Sequence, residues 1–105
     1  MSKVLSILEA LRLPFAYDHF AEGESPEPPF VVYLYPGTNN FAADNVVYYP
    51  VNQVNIELYL NKKDINIEKI LEQLLNNAEI FYEKSEVWIE SERLYEVVYS
   101  FEEGE

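Results

Sequence analysis

The 105-residue sequence predicts an α+β fold: a mostly antiparallel sheet of four to five strands with two helices packed on it, in a single domain spanning residues 1–105. Three observations predict it. Two segments repeat apolar residues at helical spacing, several others alternate or run apolar as strands do, and no long polar stretch divides the chain.

Val4, Ile7, Leu8 and Leu11 fall on one face of a helix, with Ser2 available as N-cap and Leu13-Pro14 ending the run. A strand over Phe15 to Phe20 follows, and then the polar loop Ala21 to Pro29, whose prolines exclude both ladder and helix. Pro26-Glu27-Pro28-Pro29 suits either a rigid connection or a polyproline ligand. Phe30 to Tyr35 reads as a buried strand closed by Pro36-Gly37, and Thr38 to Asn45 as turn chemistry around Phe41. From Val46 a second strand begins, breaks at Pro50 and resumes, with Val54, Ile56, Leu58 and Leu60 on one face and Gln53, Asn55, Glu57 and Tyr59 on the other. Asp64 can cap a second helix whose core stripe is Ile67, Ile70, Leu71, Leu74 and Leu75, ending near Asn76-Asn77. Phe81 to Glu90 and Leu94 to Glu102 complete the sheet through a turn at 91–93, and Tyr95, Val97, Tyr99 and Phe101 share a face.

Composition excludes several chemistries. There is no cysteine, so thiolate metal sites, disulfides and cysteine nucleophiles are absent, and three glycines build neither a phosphate loop nor a dinucleotide fingerprint. The single histidine, His19, reads as a strand-end residue without a catalytic task. With nineteen acidic residues some pair of carboxylates always lies close, so pairing alone signals nothing catalytic. Nineteen acids against seven bases give a net charge of -12, which repels phosphate backbones and anionic membranes. The first residues do not read as a signal peptide, and no apolar run approaches the ~20 residues of a membrane span. The expectation is a chain that is not an enzyme, needs no cofactor or metal, and binds neither nucleic acid nor membrane.

What remains is protein interaction, for which nine tyrosines, six phenylalanines and Trp88 are suited. By alternation Trp88 sits between Glu86 and Glu90 on what reads as the wet side of the sheet, covered either by a helix or by another subunit. Phe41, in an Asn-rich loop, is either tucked beneath it or offered to a partner, and the loop is expected to project as a mobile hairpin. The interface candidates are Asn39, Asn40, Phe41, Tyr59, Trp88 and Arg93, with Lys62, Lys63 or Arg93 of a neighbouring subunit brought toward the carboxylates.

The run Leu13-Pro14-Phe15-Ala16-Tyr17-Asp18-His19-Phe20, the loop Glu22-Gly23-Glu24-Ser25-Pro26, the stretch Phe30 to Asn40 and the ending Leu94-Tyr95-Glu96-Val97-Val98-Tyr99-Ser100-Phe101 resemble small proteins from the structural-gene clusters of long-tailed bacteriophages and prophages of Gram-positive bacteria. The likeness is to the tail-terminator and head–tail joining, or tail completion, proteins, and it covers nearly the whole chain. It implies a ring, typically a hexamer, that caps the tail tube and meets the head connector, found in the host cytoplasm during assembly and then in the virion. It brings no catalytic residues. A second class suits the charge alone: an acidic DNA-mimic inhibitor of a nucleic-acid-binding protein.

Overall fold

The computed structural model describes residues 3–21, 23, 25–37, 41–43, 46–49 and 51–104. In chain order these form α1 (Lys3–Leu11), β1 (Phe15–Tyr17), β2 (Phe30–Leu34), β3 (Phe41–Ala43), β4 (Val46–Tyr49), β5 (Val51–Leu60), α2 (Ile65–Asn77), β6 (Glu83–Ile89) and β7 (Leu94–Gly104). The main sheet has the order β1-β2-β5-β7-β6, and β3 pairs with β4 in a separate two-stranded sheet. Only β1 and β2 run parallel; the other pairs of the main sheet are antiparallel. The α+β expectation therefore holds.

Register decides which residues meet. Across β5 and β7, Val54 faces Phe101, Ile56 faces Tyr99, Leu58 faces Val97 and Leu60 faces Tyr95, so the two alternations coincide on one face. That face packs against Val4, Ile7, Leu8 and Leu11 of α1 and Leu71 and Leu75 of α2 in one cluster. Each fully buried large side chain contributes roughly 1.5–3 kcal/mol. Both helices lie on this inner face, and the outer face carries Gln53, Asn55, Glu57 and Tyr59 as the alternation requires.

The helices end alike. Arg12, just past α1, and Glu79, two residues past α2, adopt positive φ of 65° and 60°. At α2 the Glu79 N–H donates to the Asn76 carbonyl at 3.0 Å and the Ile80 N–H to the Leu75 carbonyl at 3.0 Å, a Schellman closure with glutamate where glycine is usual. At its other end Asp64 Oδ1 accepts the Ile67 N–H at 3.2 Å, the expected N-cap.

Four expectations change. β1 stops at Tyr17 rather than Phe20, because Asp18 turns to a φ of 66° and leaves extended geometry. The 38–45 segment is not all turn: Phe41–Ala43 is a strand paired with β4, while Thr38, Asn39, Asn40, Asp44 and Asn45, and the Phe41 side chain, lie outside the described residues. The α2 stripe loses Ile70, which is 53% exposed, and gains Glu68, which is 2% exposed. At 100° per residue Ile70 stands a quarter-turn from Leu71 on the side away from Leu75, whereas Glu68 lies beside Leu75. Finally, β6 begins at Glu83, so Phe81 and Tyr82 precede the strand.

Candidate protein-interaction surfaces

Trp88 pairs with Tyr95 across β6 and β7, and Tyr95 pairs with Leu60 of the core face. Trp88 therefore points to the helix-bearing side, not to the wet side that alternation with glutamates suggested. The physical reason is that its neighbours Glu86 and Lys84 also face inward and are held there by ion pairs, so charged residues mark the inner face of β6. Trp88 is 39% exposed, its ring centroid 4.8 Å from that of Tyr95 and its indole N–H donating to Glu90 Oε1 at 3.3 Å. No described strand lies beyond β6, so the seven-residue edge Glu83–Ile89 is open.

At the other edge Tyr17 of β1 is 49% exposed, also on the helix-bearing face. It is edge-on to Tyr33 at 5.3 Å and stacked on Tyr35 at 5.9 Å, and its hydroxyl accepts the Tyr35 N–H at 3.3 Å. Among the described residues both edges of the sheet are thus unpaired, and each carries a half-exposed aromatic on the same face. Burial, then the neighbouring Tyr35 and Tyr17, push the Tyr33 hydroxyl above its ordinary pKa.

The inner face of β6 is stapled to α2 by charge. Glu68 Oε1 accepts from Lys63 at 3.1 Å and lies 2.8 Å from the Lys84 ammonium in an ion pair, while Oε2 lies 2.9 Å from Lys63 in ion-pair contact without hydrogen-bond geometry. Lys63 also reaches Glu86, and Lys84 reaches Glu72 at 2.6 Å, whose Oε2 accepts the Tyr99 hydroxyl at 2.8 Å. Burial pushes the Glu68 carboxyl up, but the ammonium groups of Lys84 and then Lys63 outweigh it and hold the carboxyl below its ordinary range. Lys63 is therefore committed within its own chain, not free to reach a neighbouring subunit.

Tyr59, on the outer face, is likewise no free anchor. Its ring stacks on Phe30 at 5.1 Å, and its hydroxyl lies 2.7 Å from Glu96 Oε2 and 3.0 Å from Glu57 Oε1. Burial, followed by the two carboxylates, pushes the Tyr59 hydroxyl up; burial also raises Glu57, against the lowering effect of the Tyr59 bond and with Glu96 and Asp18 adding to the rise. Arg93 sits exposed in the β6–β7 turn at a φ of 54°. The structure thus brings Trp88 and Arg93 to one end of β6 and puts Tyr59 on the opposite face. His19 is exposed, its Nδ1 3.0 Å from Asp18 Oδ2.

One surface escaped the sequence reading. Residues 79–83 alternate, with Ile80 and Tyr82 packed on the core and Phe81 left 89% exposed between Glu79 and Glu83. Phe81 borders a groove of about 680 Å³. The sequence hides the closure that sets this pattern, because glutamate rather than glycine holds its positive-φ position at Glu79; the closure turns Ile80 onto the core. Reading 81–90 as a single strand concealed the surface as well.

Among the described residues no three His, Asp or Glu side chains cluster so as to hold a metal ion, and no helix is long and apolar enough to cross a membrane. Comparison with known proteins matches the chain to no family model and to no curated protein sequence.

Proposed function

We propose that the chain is a non-enzymatic assembly protein that joins copies of itself into a ring at the end of a phage tail or at the head–tail joint, the role its resemblance implies. Its partners are then further copies, the tail tube and the head connector. The observation that carries the reading is the pair of free sheet edges, β1 and β6, each with a half-exposed aromatic, Tyr17 and Trp88, on the same side. An open edge is a template for another strand, and two different edges meeting head to tail make a heterologous contact, which gives a ring where the rotation between copies closes and a filament where it does not. Arg93, at the Trp88 end, adds an exposed cation to a surface rich in carboxylates.

Light scattering after size exclusion tests this over a concentration series. A mass that climbs to a fixed multiple of the subunit supports the ring. A monomer at every concentration, together with competition against DNA for a nucleic-acid-binding protein in a gel shift, would instead establish the acidic decoy.

A further inference from the structure

We propose that the groove beside Phe81 is a docking site for a segment of a different protein, an apolar side chain flanked by lysine or arginine. The inference does not rest on ring formation, because the groove lies at the start of β6, at the far end of the strand from Trp88 and Arg93.

Phe81 is the most exposed large apolar side chain among the described residues, and its two chain neighbours are anchored. On one side Ile80 is fixed by its N–H bond to Leu75; on the other the Tyr82 ring packs edge-on against Tyr99 at 5.4 Å. The backbone that presents the ring is therefore fixed on both sides, so docking an apolar side chain against Phe81 orders the ring alone and not the segment that carries it. The groove's 680 Å³ accommodates a few side chains, with Pro36, Ile80, Phe81 and Phe101 as its apolar lining beside polar Asn55 and Ser100.

Charge selects the occupant. Glu79 and Glu83, on either side of Phe81, have no cationic partner among the described residues, and Glu103 lines the groove as well. The groove's single basic residue, Lys3, is engaged: its ammonium donates to the Ala78 carbonyl at 3.2 Å. A second copy meeting this groove through its own would set Glu79 and Glu83 against their equivalents on a chain of net charge -12, so a cationic partner is favoured over self-association here.

The test is a titration of the full chain with an acetylated nine-residue peptide of alternating lysine and leucine, and with its glutamate–leucine counterpart, in about 50 mM salt. The lysine peptide should bind one per subunit and the glutamate peptide should not. Phe81→Ser should weaken binding by about fivefold or more and Glu83→Gln by about twofold, with Glu92→Gln, in the turn at the other end of β6, leaving it unchanged. Unchanged melting of Phe81→Ser confirms that the fold is intact. Equal weakening by Glu83→Gln and Glu92→Gln, or none by Phe81→Ser, would reduce the interaction to diffuse charge and overturn the proposal. So would loss of self-association in Phe81→Ser with peptide binding intact, which would make a second copy the occupant.

Discussion

The two faces of the sheet carry the same three-group unit in opposite electrostatic settings. On the helix-covered face Tyr99 donates to Glu72, Lys84 bridges Glu72 and Glu68, and Lys63 bridges Glu68 and Glu86. On the outer face Tyr59 stands between Glu57 and Glu96 with no cation in the cluster among the described residues. The hydroxyl has one proton to give, so two carboxylates compete for it, and Asp18 adds a further negative field. The lesson is that identical side chains become a staple or a repulsive contact according to whether a lysine reaches them. The lysines that converge here, Lys63 and Lys84, both serve the helix-covered face.

The comparison is broken most severely at Glu68. Glu68→Ala leaves each ammonium group with one carboxylate, Glu72 for Lys84 and Glu86 for Lys63, and the expected loss is about 2 kcal/mol in urea unfolding at pH 7. A fully buried pair would lose about 3–5 kcal/mol, but both lysines are partly in solvent and can turn outward. A loss too small to measure would show that the staple is ornamental. The Glu68 carboxyl is held below its ordinary value of 4.5, so its contribution is present above that pH and disappears as acid titrates the folded form.

Glu57 responds with the opposite sign and a smaller size. Its carboxyl is raised above 4.5, so the folded state takes up a proton before the unfolded state does, and stability rises as pH falls from neutrality toward 4.5. Glu57→Gln should raise the unfolding free energy slightly at pH 7, by no more than about 0.5 kcal/mol after solvent screening, and should flatten this acid-side rise. Melting curves between pH 7 and 4.5 decide the matter. A variant less stable than wild type at pH 7 would mean that the outer cluster binds more than it repels.

Much of this was legible in the sequence, and the failures have local causes. The strict alternation of Val54, Ile56, Leu58 and Leu60 and that of Val97, Tyr99 and Phe101 gave the inner face directly, because a half-buried strand has no other way to place its apolar residues. Trp88 was misplaced because flanking glutamates normally mark solvent, whereas here Glu86 is turned inward by Lys63, which arrives from a loop more than twenty residues away. Glu68 was passed over for the same reason: a buried carboxylate is readable only when its lysines are known to converge on it. Ile70 fitted a list of apolar spacings but not the arc of the helix that meets the sheet. Tyr59 looked like an outward anchor, and only the register with Glu96 reveals that its hydroxyl is already engaged.

Replacing Trp88 and measuring mass and melting on the same sample tests assembly through the sheet edge most directly. Trp88 is 39% exposed and otherwise packs on Tyr95 at the margin of the core, so Trp88→Ala should lower the melting temperature modestly; if the sheet edges join copies as proposed, it should also leave monomers at concentrations where the wild-type chain associates, as removal of an interface hot spot worth ~2 kcal/mol or more does. A large drop in melting temperature, with association per folded molecule unchanged, would contradict the account and make Trp88 a part of the subunit's own core.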